Sequence, residues 1–361
     1  MSDIFTLFTK PIAKSPRIEK LVDALFEKMP EIEADRAVLL TESYMQTEGE
    51  PIITRRAKAF RHILENIPIT IRDNELIVGS ATKAPRGCQV FPEFSYEWLE
   101  QEFDTIATRS SDPFYISDDT KKALSQAFKY WKGKTTSELA YQYMSEEARD
   151  AIQHNIFTVG NYFYNGVGHV TVDYGKVLKV GYRGIIEEAR RELEKLSPGD
   201  ENFAKKSHFL NAVIISCEAV CNYAKRYAAL ARSMAEKEKD SQRRQELFKI
   251  AENCSRVPEN GATSFYEACQ SFWFIQMLIQ MESSGHSISP GRFDQYMYPF
   301  YKADKEAGRI TDEEVLELLG MLRIRCMELN QQSGREIRKR TSGGARWMNM
   351  TIGGVKPDGS D

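Results

Sequence analysis

The chain has 361 residues, of which 42% are hydrophobic and 28% charged, so it can build a sizeable core. Its 49 basic and 52 acidic residues leave a net charge of −3, which gives no electrostatic argument for binding a nucleic acid or an anionic membrane. The first ten residues lack the basic and apolar regions of a signal peptide, and Gln276 and Gln280 interrupt the longest apolar run. We therefore expect a cytoplasmic protein without a membrane span.

The six cysteines are scattered and lie mostly inside apolar segments. No Cys-x-x-Cys and no His-x-x-x-His spacing occurs, so a metal site is not expected. The cysteines are interpreted as small buried hydrophobic residues in a reducing compartment.

Helical periodicity dominates the first 66 residues. Apolar residues recur every three or four positions and predict helices over 18–29, 31–47 and 55–66. The next stretch changes character, because β-branched residues alternate around a turn at 73–74. That alternation predicts two short strands within 67–80.

Further helices are predicted along the rest of the chain, with Thr136 or Ser137 capping the one that starts near 137. They span 96–103, 120–131, 182–196, 209–239, 241–253, 264–284 and 311–330. The stretch 345–354 is predicted to be a strand that ends in a tight glycine turn, and a second strand is predicted over 169–173.

Two segments combine glycines with polar residues that could carry chemistry. Residues 157–174 hold three glycines around an aromatic cluster and include His169, although a simple glycine-rich hairpin would read the same way. Residues 281–298 follow an apolar helix and contain His286 and Ser287. The alternative for that pair is a helix that ends at Gly285 with the two residues as caps.

Taken together, these two segments resemble the glycyl radical enzyme superfamily, and most closely its glycerol and propane-1,2-diol dehydratase branch. The matching motifs begin at Asn161 (Asn-Tyr-Phe-Tyr-Asn-Gly-Val-Gly-His) and at Glu282 (Glu-Ser-Ser-Gly-His-Ser-Ile-Ser-Pro-Gly-Arg). Shorter matches begin at Thr47, Ile71 and Val90. The resemblance covers essentially the whole chain.

The resemblance implies a helix-rich α/β fold, the N-terminal part of a ten-stranded barrel of the pyruvate formate-lyase type. On that basis we expect a helical region over about 1–66 and a half-barrel with its helices over about 67–361. It also implies radical chemistry. A glycyl radical is installed by an activating enzyme that uses S-adenosylmethionine, the chain binds no further cofactor, and relatives of this type tend to be homodimers.

The chain departs from the family pattern in its second half. The family carries its thiyl cysteine in a Gly-Cys-x-Glu-like loop and its radical glycine in an Arg-Val-Ala-Gly-Tyr-like loop, and neither motif occurs here. We therefore expect a fragment or truncated product that is inactive by itself. An open half-barrel would expose unpaired strand edges, so poor solubility is expected for residues 1–361 alone.

Residues matching His169, His286 and Ser287 line the substrate pocket in the diol dehydratase branch, with the two histidines as catalytic residues. Departure of a hydroxyl requires protonation of its oxygen, which an imidazolium can supply. Trp347 falls where glycerol-type enzymes carry a Tyr, and an isethionate-cleaving branch also uses Trp there. Trp347 is therefore expected in the substrate site, and it leaves the substrate open.

The sequence thus predicts the N-terminal portion of a dehydratase of a small 1,2-diol. The alternatives within the superfamily are a carbon–sulfur or carbon–nitrogen lyase and a formate acetyltransferase-like enzyme. An alternative of another class is a truncated, non-catalytic scaffold protein.

Overall fold

The computed structural model describes residues 15–157, 165–285, 287–329, 348–354 and 358. Two of the predicted site residues, His286 and Trp347, lie outside these ranges. The helices are α1 Pro16–Phe26, α2 Asp35–Gln46, α3 Ile52–Asn66, α4 Glu97–Glu102, α5 Asp118–Trp131, α6 Thr136–Gln142, α7 Glu146–Gln153, α8 Tyr174–Glu194, α9 Phe203–Lys237, α10 Ser241–Arg256, α11 Phe265–Ser283, α12 Phe293–Glu306 and α13 Asp312–Glu328, with a 3-10 helix at Ile106–Thr108. The strands are β1 Ile32–Glu33, β2 Cys88–Gln89, β3 Val170–Thr171, β4 Ile288–Ser289, β5 Gly291–Arg292 and β6 Met350–Thr351.

Most of the helices lie where the 3.6-residue periodicity predicts them. The helices α8 and α9 begin at Tyr174 and Phe203, ahead of the predicted 182 and 209, and α7 and α12 are not among the predicted helices. Two other starts differ in detail. Residues 31–33 do not join α2, because Ile32 and Glu33 pair with another strand instead. The cap of α6 is Thr135 rather than Thr136 or Ser137. Its hydroxyl accepts from the Glu138 amide at 3.0 Å, and the Glu138 carboxylate accepts from the Thr135 amide, which forms a capping box.

The prediction of two strands within 67–80 is wrong, since the structure has no strand there. The backbone at 77–80 is instead hydrogen-bonded by side chains from distant helices. Gln270 binds both the amide and the carbonyl of Val78, at 2.9 and 2.8 Å, and the Trp273 indole donates to the Gly79 carbonyl at 2.9 Å. Further bonds of this kind come from Tyr223, Tyr227 and Arg325. Buried backbone groups need partners, and here side chains replace a neighbouring strand.

The described strands form three parallel pairs, β1 with β2, β3 with β4, and β5 with β6. Each strand has only two residues, so the predicted strands over 169–173 and 345–354 are shorter than expected. The result is a helix-rich α/β fold in which short parallel pairs lie between helices, as the sequence predicts.

The core is built around two helices. The long helix α9 packs against α3, α8 and α10. The apolar helix α11 is buried on nearly all sides, as its composition predicts, and Trp273 on it is 1% exposed. Five of the cysteines are also buried, which agrees with their interpretation as hydrophobic residues. Among the described helices, none has the length and hydropathy needed to cross a membrane.

Candidate functional site

The parallel pairing of β3 with β4 brings the two predicted site segments together. Val170 pairs with Ile288, and Thr171 pairs with Ser289. His169 and Ser287 immediately precede these two strands, so the register brings both positions to the same end of the ladder. Two of the predicted site positions are thus neighbours in space although more than a hundred residues separate them in the chain.

Both positions have a left-handed backbone. The φ angle is 56° at His169 and 55° at Ser287, and it is 61° at Ser284 and 75° at Gly285. Non-glycine residues rarely adopt this conformation, and it persists where surrounding contacts enforce it. Helix α11 therefore ends at Ser283, with Ser284 as its left-handed cap, and Ser287 lies beyond the cap.

A direct contact between the two loops lies just before the paired strands. The Gly166 amide donates to the Ser284 hydroxyl at 3.0 Å. A β-carbon on Gly166 would lie 2.5 Å from the Ser283 carbonyl oxygen and 2.9 Å from the Phe94 ring. Only glycine permits this close approach, which is one reason for a glycine-rich segment here.

The Ser287 hydroxyl is the most informative group in this region. The residue is 4% exposed, and its oxygen has no hydrogen-bond partner within the described residues. His169, by contrast, is exposed. A buried hydroxyl without a partner costs about 1–3 kcal/mol. Such a group calls for an explanation, for which a ligand or an ordered water is the ordinary one.

Gln276 supports this arrangement from helix α11. Its side-chain amide donates to the Ile288 carbonyl at 2.9 Å, which holds β4 against the helix. The Tyr174 hydroxyl donates to its amide oxygen, and the Tyr174 ring stacks on Tyr296 at a centroid distance of 5.3 Å. In the sequence alone, Gln276 is visible only as an interruption of an apolar run. A polar residue in a fully buried helix was itself the sign that it binds something.

A third segment approaches the same place. Gln276 and Gln280 each donate to the Met348 sulfur at 3.2 Å, and the Asn349 amide donates to the Ser289 hydroxyl at 3.1 Å. The residue before Met348 is Trp347, which lies outside the described residues, as does His286. The described part of the predicted site is therefore His169 and Ser287.

A cavity of about 520 Å³ lies elsewhere, between α2, α5 and the 83–84 turn, and none of the predicted site residues lines it. Its carboxylate Glu33 accepts hydrogen bonds from the Lys83 and Ala84 amides at 2.9 and 2.8 Å. Burial raises the pKa of Glu33 in spite of these bonds. We interpret Glu33 as a residue that closes the turn. Across the described ranges, no group of three or more His, Cys, Asp or Glu side chains could hold a metal ion.

Comparison with known proteins connects this geometry to a family. A family model described as pyruvate formate lyase-like matches residues 9–361. The chain is similar to a solved structure that concerns 1,2-propanediol dehydration in Roseburia inulinivorans. The TM-score is 0.95, and the identity is 57%, with 97% of this chain and 42% of the other chain covered. It is also similar to the glycerol-bound B12-independent glycerol dehydratase from Clostridium butyricum, with a TM-score of 0.94 and 52% identity over 98% of this chain and 45% of the other.

A curated relative, the (2S)-3-sulfopropanediol dehydratase of Klebsiella oxytoca, is 36% identical over 352 residues, which are 96% of this chain and 43% of that protein. The chain thus spans about two fifths of the length of the relatives it matches. The fold agrees with theirs, and the resemblance inferred from the motifs at residues 161 and 282 is confirmed. The chain belongs to the pyruvate formate lyase-like family, among relatives that are glycyl radical enzymes.

Proposed function

We propose that this chain is the N-terminal part of a glycyl radical lyase that dehydrates a small 1,2-diol such as glycerol or propane-1,2-diol. The observation that carries the proposal is the buried Ser287 hydroxyl, which has no partner in the described ranges and precedes β4 as His169 precedes the paired strand β3. The 57% and 52% identities to structures concerned with propanediol and glycerol dehydration support the substrate class.

The residues in this proposal have distinct roles. The Ser287 hydroxyl can both donate to and accept from a substrate hydroxyl, so it binds and orients the diol. His169 and His286 are the proposed catalytic residues, which protonate the oxygen of the departing hydroxyl. Trp347 is proposed as an aromatic wall with one N–H donor.

The radical is proposed to come from outside these 361 residues. In this family a glycyl radical, made by an S-adenosylmethionine-dependent activating enzyme, supplies the hydrogen abstraction that precedes loss of the hydroxyl. Five of the six cysteines of this chain are buried and none lies in the family's thiyl motif, which supports their having a structural role. A homodimer is proposed on the family resemblance alone.

The principal rival within the family is cleavage of a carbon–sulfur bond, which the tryptophan at position 347 would suit. Carbon–nitrogen cleavage and acyl transfer of the formate acetyltransferase type are further rivals. A non-catalytic scaffold is the rival of another class. The identities of 57% and 52% to diol dehydratase structures, against 36% to an isethionate sulfite-lyase, favour the diol.

The test is an anaerobic assay of the protein from its complete gene, activated by its own activating enzyme. We expect propane-1,2-diol or glycerol to yield an aldehyde and isethionate to yield no sulfite. Release of sulfite and acetaldehyde from isethionate, with no aldehyde formed from either diol, would replace the diol proposal with carbon–sulfur cleavage. Coding DNA that stops at codon 361, together with a purified chain that binds no diol in calorimetry, would support the scaffold.

A further inference from the structure

The loop that carries Ser287 begins at an energetically demanding helix end. The last carbonyls of a helix have no partner within it, and here the chain passes at once into left-handed residues at Ser284 and Gly285. Such a turn keeps one conformation only if its surroundings fix it. The relevant surroundings lie in the N-terminal helices, more than two hundred residues earlier in the chain.

Two arginines bind the carbonyls at this helix end. The Arg36 Nε donates to the Met281 carbonyl at 2.7 Å. Arg56 donates to the Glu282 carbonyl and also forms an ion pair with the Glu282 carboxylate. Positive charge is favourable at a helix C-terminus, so both contacts stabilise the end of α11 where the loop departs.

A single carboxylate fixes both arginines. Glu93 binds Arg36 through two bonds, at 2.7 and 3.2 Å, and binds Arg56 at 3.0 Å. The Arg36 side chain is fully buried and the Glu93 side chain is 6% exposed. Burial alone would raise the pKa of Glu93, but Arg36 and Arg56 outweigh it and lower that pKa, so Glu93 is ionised at neutral pH.

The segment of Glu93 also reaches the other loop of the site. The Arg56 guanidinium lies 5.6 Å from the centroid of the Phe94 ring. The same ring closes off the space beside Gly166, whose amide binds the Ser284 hydroxyl. The residues around Glu93 therefore contact both segments that meet at the candidate site.

We propose that Glu93 is a positioning residue for the site. It holds Arg36 and Arg56 in place, these hold the end of α11, and Ser284, Gly285 and Ser287 are thereby kept in the left-handed backbone that accompanies burial of the Ser287 hydroxyl. The naming of a diol as the ligand of that loop rests on the proposed function. The positioning itself does not depend on it.

The test compares Glu93→Gln with Glu75→Gln. Glu75 is a matched control because it is 3% exposed and also binds two arginines, Arg325 at 2.8 Å and Arg72 at 3.3 Å. The arginines that Glu75 binds make none of the carbonyl contacts at the end of α11. Both variants lose one buried negative charge, so both are expected to melt earlier than the parent protein.

Peptide-resolved hydrogen exchange separates the two variants. Glu93→Gln is expected to speed amide exchange over 282–289 and 165–171 about tenfold, the factor that follows from losing a charge-assisted hydrogen bond. Glu75→Gln is expected to leave these segments unchanged. Equal acceleration in both variants, or none in Glu93→Gln, would reduce Glu93 to a general structural role. If Glu93→Gln does not fold, Arg56→Lys keeps the charge, loses the forked contact and should show the same local effect.

Diol binding provides the second readout. Glu93→Gln is expected to weaken propane-1,2-diol binding by a factor at least as large as the increase in the amide exchange rate over 282–289. Glu93→Asp is expected to recover part of both losses. A protein from the complete gene that binds no diol contradicts the proposed function, while the exchange experiment still tests the positioning. If the parent protein binds the diol but Glu93→Gln leaves the amide exchange of the loop unchanged, the positioning role is overturned and the proposed function is not.

Discussion

At the scale of single residues, Ser287 and Gly166 contribute to the candidate site in two different ways. Ser287 keeps a buried oxygen without a partner in the described ranges, at a cost to stability. Gly166 omits a side chain so that two segments can touch. The Gly166 contact joins the two segments of the candidate site, and the Ser287 hydroxyl is explained if the proposed site binds a ligand.

Replacing Ser287 with Ala should therefore separate stability from binding. Removal of a buried, unbonded hydroxyl should leave the free energy of unfolding unchanged or raise it by up to about 2 kcal/mol. Diol binding, measured by calorimetry, should weaken about tenfold, which is the loss of one good hydrogen bond. The control is Ser289→Ala, which removes the partner of the Asn349 amide and should lower the melting temperature slightly. Unimpaired binding in Ser287→Ala would contradict the role proposed for the hydroxyl.

Replacing Gly166 with Ala tests the contact between the loops. The new methyl group would lie 2.5 Å from the Ser283 carbonyl oxygen, so the segments must move apart. The expected loss of stability is about 1–3 kcal/mol, measured by chemical denaturation. Gly175→Ala is the matched control, since the nearest atom lies 3.7 Å away and the position is helical. That variant should be about 0.5–1 kcal/mol more stable. Equal effects at both glycines would argue against a tight contact at Gly166.

At the scale of elements, the segment at 77–80 has side chains as hydrogen-bond partners where a neighbouring strand was predicted. Gln270 supplies both the donor and the acceptor that a neighbouring strand would have given to Val78. This substitution of a side chain for a strand makes one glutamine responsible for two buried backbone groups. Those groups have no access to water if the side chain is changed.

Gln270→Met should consequently be among the more damaging changes in α11. Two buried backbone groups would lose their partners, at about 1–3 kcal/mol each. The measurement is the free energy of unfolding from urea titration followed by circular dichroism. Gln126→Met, an exposed position on α5, is the comparison and should change stability by less than about 0.5 kcal/mol. A Gln270→Met protein as stable as the comparison would show that water or rearrangement replaces both bonds.

The helices could be predicted from the sequence because their information is local. Apolar spacing gave α3 and α11 to within a few residues, and Thr311 with Glu314 marked the start of α13. The partners of 77–80 could not be predicted, since Gln270 is 192 residues from Val78. The contacts of Glu93 could not be predicted for the same reason, because nothing near it in the sequence indicates that it binds Arg36 and Arg56.

The candidate site was predictable in its members more than in its geometry. His169 and Ser287 were selected from motifs, and the strand register that makes them neighbours came only from the structure. The roles of all four selected residues stay predictions, and His286 and Trp347 lie outside the described ranges. The division near residue 66 into a helical region and a half-barrel also stays a prediction.

At the scale of the whole molecule, the reactivity of the cysteine thiols reports how far the core is accessible to solvent. Burial raises the pKa of both Cys217 and Cys221 to about 12, and that of Cys326 to about 11. A thiol with a raised pKa stays protonated at pH 8 and is a poor nucleophile. Native protein should react slowly with Ellman's reagent, with the partly exposed Cys326 first, and should expose all six thiols in guanidinium chloride. Rapid labelling of Cys217 or Cys221 in native protein would indicate that α9 opens.

The ladder between β3 and β4 has one further consequence, for tolerated changes in chain length. Side chains alternate between the two faces of a strand, so a slip of one residue turns each of them to the opposite face. With two paired residues per strand, no longer ladder exists to resist such a slip. The number of residues between Gly166, whose amide binds Ser284, and Val170 therefore fixes the register of β3 at the site. Deleting one residue from 167–169 should disrupt the site, whereas a change of length in a helix connection such as 195–202 should leave it intact.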